Sequence, residues 1–271
     1  MNRLSCLSLG CLVLFLAAPV QAADPPKKIL LLGTKPDTHP PESHEYMAGV
    51  RLVARMLKQF PGLEVQVVQA DPPWAEGPEL LAKADGVFLY MTEGARWLSA
   101  DPARIKAFQE LAKRGGGLVA LHWAMGTKIA EPVPVYVNLF GACHGGPDRK
   151  AKDTDVAVRV IDKKHPVTHG LTDFRLPDEW YFRLKVVAPP ARIDPLLEAT
   201  LETKNETVAW AFSRPDGGRS CGFTGLHYHD NWKNENYRRF VVQAILWSVK
   251  QNIPEAGVNV DLPPEAYKLT K

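Results

Sequence analysis

Short, unbroken apolar runs alternate with segments of helical periodicity through the first half of the chain. Lys28 to Gly33 is an apolar run closed by glycine, the pattern of a strand buried on both faces. A polar, proline-rich loop follows (Thr34, Asp37, Thr38, His39, Pro40, Pro41). Ser43 is then placed to cap a helix whose apolar positions run from Met47 to Phe60 and stop at Pro61-Gly62. Glu64 to Gln69 predicts a second strand, Pro78 to Ala84 a short helix, and Gly86 to Met91 a third strand. Asp101-Pro102 supplies an N-cap with proline at the first helical position, and the helix stops at Gly115-Gly116-Gly117. Leu118 to His122 predicts a fourth strand. Strands alternating with helices in this way predict an α/β fold with a central, mostly parallel sheet and helices on both faces. Ligands of such sheets bind beyond the carboxyl ends of the strands, so the loops after Gly33, Met91 and Leu121 matter most.

The second half is less regular. Residues 123 to 155 form a long excursion with a helix around Val135 to Phe140. Val156 to Ile161 and Tyr181 to Val187 are expected as strands, and Val208 to Phe212 with Ser220 to Thr224 bracket a hairpin turn rich in Asp and Gly. A last helix is expected from about Asn236 to Lys250, and the tail, 251 to 271, is expected to be extended. No internal repeat interrupts this order, so one domain over residues 28 to 250 is the simplest account.

Before that domain stand Arg3, an apolar run from Leu4 to Val20 and the small residues Ala22 and Ala23, the plan of a cleavable secretory signal over residues 1 to 23. The reading places the chain outside the cytoplasm, periplasmic or extracellular, with no membrane span left after cleavage. It also removes Cys6 and Cys11; Cys143 and Cys221 remain, too few for a disulfide framework. The chain has 271 residues, 45% of them hydrophobic, and a formal net charge of +3 with its cations dispersed. That gives no footprint for nucleic acid, whose binding depends on massed phosphate contacts.

Candidate chemistry lies at the ends of the predicted strands. His122 ends the fourth strand, His144 sits within Phe140 to Gly146, and His227 and His229 follow the strand Cys221 to Thr224. Asp178 and Glu179 are adjacent carboxylates before another strand. Such groups converging from separate strands form a pocket in which histidine serves as general base or metal ligand. His39 and His44 belong to the loop after the first strand, within reach of the same mouth, but that loop is too irregular to place them. Trp123, Tyr181, Tyr228 and Trp232 add aromatic faces suited to stacking on sugar rings. No phosphate-cradling glycine motif and no Gly-x-Ser-x-Gly elbow is present, which removes support for nucleotide enzymes and serine hydrolases.

Several blocks carry a family resemblance: Gly115 to His122, Phe140-Gly141-Ala142, His165 to Leu171, Asp178-Glu179-Trp180-Tyr181, Val208-Ala209-Trp210, Phe223 to His227 and Phe240 to Trp247. In order and spacing they resemble the ThuA-like, or trehalose-utilisation, domain. The resemblance implies a flavodoxin-like, class I glutamine amidotransferase-like fold and a place in carbohydrate metabolism. In such amidotransferases a nucleophilic cysteine occupies the turn after a central strand; here His122 stands in its place, so glutamine hydrolysis through a thioester is not expected. One departure is Leu226, where many relatives carry a second glycine.

The expectation is therefore an exported protein that moves a proton next to a sugar carbonyl, as isomerase, epimerase or lyase, with or without a divalent metal. His122, Glu179 and His227 are the expected catalytic residues. Trp123, His144, Asp178, Tyr181, Tyr228, His229 and Trp232 are expected to bind substrate, and His122, His144, His227 and His229 are the candidate metal ligands. A noncatalytic carbohydrate-binding protein on the same fold is the alternative.

Overall fold

A computed structural model describes residues 25–269. The expected signal segment, with Cys6 and Cys11, lies outside the described residues. Among the described residues no helix is long and apolar enough to cross a membrane.

The parallel half of the sheet follows the predicted order. Strand β1 (Lys27–Gly33) pairs in parallel with β2 (Leu63–Gln69) and β3 (Gly86–Tyr90), and β4 (Gly117–Leu121) pairs with β3. Both faces of β3, β4 and β1 from Ile29 onward are covered, which is why these stretches are apolar. Helix α1 (Tyr46–Leu57) follows β1, α2 (Gly77–Lys83) follows β2, and α3 (Gly94–Ser99) with α4 (Pro102–Lys113) follow β3. Asp101 caps α4 as expected, accepting from Ala103 N–H at 2.8 Å. Ser43 is not the cap of α1: its hydroxyl donates to the Pro40 carbonyl, and its backbone forms a bridge with Tyr228.

The excursion after β4 holds the short strands β5 (Gly126–Thr127) and β6 (Ala142–Gly145), with α5 (Val133–Phe140) between them. Beyond it the chain departs from the expected architecture. Strands β7 (Lys150–Val160), β8 (Phe174–Phe182), β10 (Asp194–Leu201), β11 (Lys204–Ser213) and β12 (Arg219–Phe223) join the same sheet, while β9 (Lys185–Val186) pairs with β6. The order is β2-β1-β3-β4-β12-β11-β10-β7-β8, nine strands in all. Strand β12 is parallel to β4, but every pairing from β12 through β11, β10 and β7 to β8 is antiparallel. The sheet is therefore mixed; a mostly parallel, flavodoxin-like description fits one half only. The predicted β11–β12 hairpin is present, whereas the strand expected at Tyr181 to Val187 begins at Phe174 and ends at Phe182.

Helix α6 (Glu235–Ser248), capped by Asn234, packs with α1 on one face of the sheet, and α2 to α5 cover the other. The tail does not fray. Val258, Val260 and Ala266 are buried, the Arg238 and Arg239 side chains donate to the Val260 and Val258 carbonyls at 3.1 Å each, and residues Pro264–Tyr267 form a 3-10 turn. Truncation after Ile253 is expected to lower stability by roughly 3–6 kcal/mol, mainly from two lost valine burials, as read by urea unfolding; Arg238 keeps the Trp232 and Lys233 carbonyls and Arg239 the Gly170 carbonyl.

Candidate functional site

The carboxyl ends of four parallel strands meet in one place. After β1 come Asp37, His39 and His44; after β3, Thr92; after β4, His122; after β12, Thr224, Leu226, His227 and Tyr228. Strand β8 brings Glu179 and Tyr181 against the same point.

His122 is the centre of this arrangement and is fully buried. It leaves β4 at φ +47°, a sharp left-handed elbow that opens a 3-10 turn (His122–Met125). Its Nδ1 faces the Thr224 carbonyl at 2.8 Å. A carbonyl only accepts, so Nδ1 carries the proton and Nε2 presents a lone pair. Three groups approach that lone pair: His44 Nε2 at 3.0 Å, His227 Nδ1 at 3.2 Å and the Tyr181 hydroxyl at 3.0 Å. Glu179 Oε2 lies 3.5 Å from both His122 Nε2 and His227 Nδ1.

The elbow is not the only strained turn. His44 sits at φ +53° and Leu226 at φ +77°, so the residue departing from the family pattern takes a conformation that favours glycine. Each such residue costs of order 1–3 kcal/mol unless its surroundings impose it. Leu226 is imposed: its N–H donates to Asp178 Oδ2 at 2.7 Å, and its carbonyl accepts from the Tyr90 hydroxyl at 2.6 Å. Gly225 beside it allows the close approach, because a Cβ there would stand 2.9 Å from the Tyr237 oxygen and 3.0 Å from Asp178 Oδ2.

Electrostatics set the protonation states. Burial, followed by the charges of His44 and His227, holds His122 well below the usual imidazole range, so the ring is neutral at physiological pH. Burial and the neighbouring histidines likewise lower His227 to about 4. Burial pushes Asp37 upward, but the His44 hydrogen bond and charge outweigh it, helped by the His39 N–H and the Thr92 hydroxyl, and hold this carboxyl well below its usual range. Asp37 therefore orients His44 as an anion: Oδ2 accepts from His44 Nδ1 at 2.8 Å, from the Thr92 hydroxyl at 2.8 Å and from the Tyr46 hydroxyl at 3.0 Å. Glu179 is half-buried at the mouth, and burial raises its carboxyl toward the range in which a base works at neutral pH.

The expected site residues divide. His122, Glu179, His227 and Tyr181 come together as anticipated, and Tyr228 stands at the rim with its hydroxyl donated to the Asp153 carboxylate. Asp178 is not placed to touch a ligand: it is completely buried and accepts from Leu226 N–H, His227 N–H, Glu179 N–H and the Tyr237 hydroxyl. His144 lies outside the cluster, stacked on Tyr181 with ring centroids 3.8 Å apart, and burial lowers it to about 3. His229 turns away and donates from Nε2 to the Tyr267 carbonyl at 3.1 Å. Trp232 is core against Tyr90, and Trp123 is buried behind Tyr181 and His144. Among the described residues, the side chains offering metal-ligand atoms within 4.8 Å of one another here are His44, His122, His227 and Glu179 and, in a second group sharing His44, Asp37 and His39; His144 and His229 belong to neither. A separate groove of about 1100 Å³ between α1, the Pro36–Glu42 loop and the tail includes His229 but none of that cluster.

Both described cysteines are free and buried, and burial pushes the Cys143 thiol up to about 12 and that of Cys221 higher still. A thiolate at either is suppressed. Neither thiol is expected to react with a disulfide reagent in native protein. Peptide mapping should show both modified only after unfolding.

A mixed α/β sheet with a histidine-rich site at the carboxyl edge of its parallel strands is the class these features define. The family described as ThuA, trehalose utilisation, matches residues 29–248, and the chain belongs to that family. Among curated proteins, none matches the sequence. Of solved structures, a ThuA-like protein from Bacteroides uniformis superposes with a TM-score of 0.63 at 19% identity, covering 86% of this chain and 95% of that one. A ThuA-like protein from Parabacteroides merdae gives 0.60 at 17% identity, covering 90% of this chain and all of the other. A family 42 β-galactosidase gives 0.52 at 11% identity over 83% of this chain and 30% of that enzyme. At these identities the likeness is one of fold.

Proposed function

We propose that this protein is an exported enzyme of carbohydrate metabolism that moves a proton at a sugar carbon next to a carbonyl. The observation that carries the reading is the pairing of Glu179, a half-buried carboxylate with a raised proton affinity, with the neutral His122–Tyr181 pair immediately behind it. Membership of a family described by trehalose utilisation supports a carbohydrate-related substrate. A keto sugar, uncharged and dense in hydroxyls, also suits a chain whose net charge is small.

In the first step the Glu179 carboxylate takes the proton from the carbon beside the carbonyl. The C–H electron pair becomes the C=C of an enediolate and the carbonyl oxygen gains the charge. Burial keeps Tyr181 protonated far above neutral pH, so its hydroxyl is a donor able to hold that oxygen. Return of the proton from Glu179 to the former carbonyl carbon, with the hydroxyl proton passing between the two enediol oxygens, gives an isomer; protonation of the original carbon on its far face by a second acid such as water gives an epimer; departure of a β-substituent with its bonding pair, as the carbonyl re-forms, gives an elimination product. In the resting site the Tyr181 hydroxyl proton is donated to His122 Nε2, and it turns from His122 to the substrate oxygen as the charge develops there.

The test is solvent exchange. Keto sugars of the 3-keto-glucoside type are incubated with protein in D2O, and deuterium at the carbon beside the carbonyl is followed by NMR. Catalysed incorporation is expected with the wild type. Saturable sugar binding with no exchange and no product would instead establish the noncatalytic carbohydrate-binding alternative.

A further inference from the structure

We propose that His44 Nε2, His122 Nε2 and His227 Nδ1 form a three-nitrogen site for one divalent transition ion of the zinc class, with Glu179 beside its open position as base and not as ligand. The assignment stands apart from the choice of substrate.

Tautomers come first. Asp37 is an anion accepting from His44 Nδ1, and the Thr224 carbonyl accepts from His122 Nδ1. Both Nδ1 atoms are thus donors, and the two Nε2 atoms face each other 3.0 Å apart. An Nε2–Nε2 approach of 3.0 Å needs one cation between the two lone pairs, either a proton or a metal ion shared by both rings. A third ring nitrogen, His227 Nδ1, stands 3.2 Å from His122 Nε2. Metal–nitrogen bonds of about 2.0–2.1 Å place neighbouring ligand atoms about 3.0–3.4 Å apart, so both spacings suit ligands on one ion.

Second, the supports are those of a metal site. Metal-bound histidines donate their other N–H to a carboxylate or backbone carbonyl, which fixes tautomer and ring direction. His44 has the carboxylate and His122 the carbonyl. His44 and His122 are essentially inaccessible to solvent, and both hold positive φ in non-glycine residues. Third, Glu179 differs from the three nitrogens: it lies farther out, at 3.5 Å, its side chain is 27% exposed, and it faces Asp153 across the β7–β8 ladder. Three imidazoles with one open position select zinc, cobalt or nickel over magnesium or calcium, which prefer all-oxygen shells.

The experiment uses the full folded domain after chelator treatment, titrated with Zn²⁺, Co²⁺ and Mg²⁺ under equilibrium dialysis. The visible absorption of bound Co²⁺ reports nitrogen ligation. One equivalent of Zn²⁺ or Co²⁺ per chain is expected, with no Mg²⁺ retained. His44→Ala and His227→Ala should each weaken binding at least about 100-fold, whereas His169→Ala, an exposed histidine elsewhere, should not. Asp37→Asn, a positioning change that reaches the ion only through His44, should weaken it about 10–100-fold and leave the unfolding midpoint close to wild type. Glu179→Gln should keep Zn²⁺ affinity within about 10-fold and retain the Co²⁺ spectrum.

No saturable Zn²⁺ or Co²⁺ binding by folded wild type, or binding indifferent to His44 and His227, overturns the site. Loss of metal from Glu179→Gln as complete as from His44→Ala overturns the three-nitrogen assignment. Turnover of keto sugar by a folded protein that binds neither Zn²⁺ nor Co²⁺ would sink this inference and spare the proposed reaction. One bound equivalent without hydrogen exchange in any sugar would do the reverse.

Discussion

Glu179→Gln is expected to reduce proton exchange on a keto sugar by about 10³-fold while the protein keeps its fold. Glutamine preserves the volume and hydrogen-bonding reach of the side chain but has no basic oxygen at neutral pH, and a positioned general base contributes about 10²–10⁴-fold to such reactions. The carboxylate lies 3.5 Å from both His122 and His227 and within hydrogen-bonding reach of the Tyr181 hydroxyl, contacts that a glutamine oxygen can keep, so stability should change little. KM should stay near its wild-type value and the loss should fall on kcat, because the base acts in the transition state and contributes little to ground-state binding. A loss confined to KM would make Glu179 a substrate contact and remove the proposed base. Tyr181→Phe, which deletes one hydroxyl, should give a smaller fall in kcat of about 10²-fold.

How far this site was legible follows from where each residue sits. β3, β4 and β1 from Ile29 onward are buried on both faces, so they read as continuous apolar runs, and their carboxyl ends pointed to His122. His44 was visible as a loop residue but not as a partner of His122, since the loop after Gly33 has no period to place its side chains. Ser43 looked like a helix cap; its bridge to Tyr228 instead closes that loop onto the His227 segment. His227 and His229 would share a face only in an extended strand, and the 3-10 turn His229–Lys233 breaks that spacing. The antiparallel half was harder. β7 opens with Lys150, Ala151, Lys152 and Asp153, all exposed, and alternates cleanly only from Val156 to Val160, the part that was expected as a strand; β8 carries Pro177 at an edge of the sheet, and β10 opens with Asp194-Pro195. The paired acids at 178 and 179 drew attention to the right place with the roles only half assigned. They point to opposite sides of β8, which sends one to the mouth and the other into the core.

That inward carboxylate is the basis of the second large effect. Asp178→Ala is expected to destabilise the domain by about 3–5 kcal/mol, because it removes the acceptor for three backbone N–H groups and one phenol, all buried, and leaves a cavity behind. The donors are Glu179 N–H at 2.9 Å, His227 N–H at 3.0 Å, Leu226 N–H at 2.7 Å and the Tyr237 hydroxyl at 2.9 Å. Burial raises the Asp178 carboxyl to about 6 in spite of these bonds, so it remains an anion at neutral pH and accepts all four. Asp178→Asn keeps the volume and one oxygen, and should lose less. Tyr237→Phe, which removes a single donor, should cost only about 1 kcal/mol. Urea unfolding of the single and double variants should show a coupling between positions 178 and 237 of at least 0.5 kcal/mol. Because two of the four donors belong to the Leu226–His227 turn, releasing them lets Leu226 leave its positive φ and carries His227 away from His122. Folded Asp178→Ala should therefore lose hydrogen exchange and Co²⁺ binding together, an effect that Tyr237→Phe should not share. Retention of both in a folded Asp178→Ala variant would show that the turn holds its shape without the carboxylate.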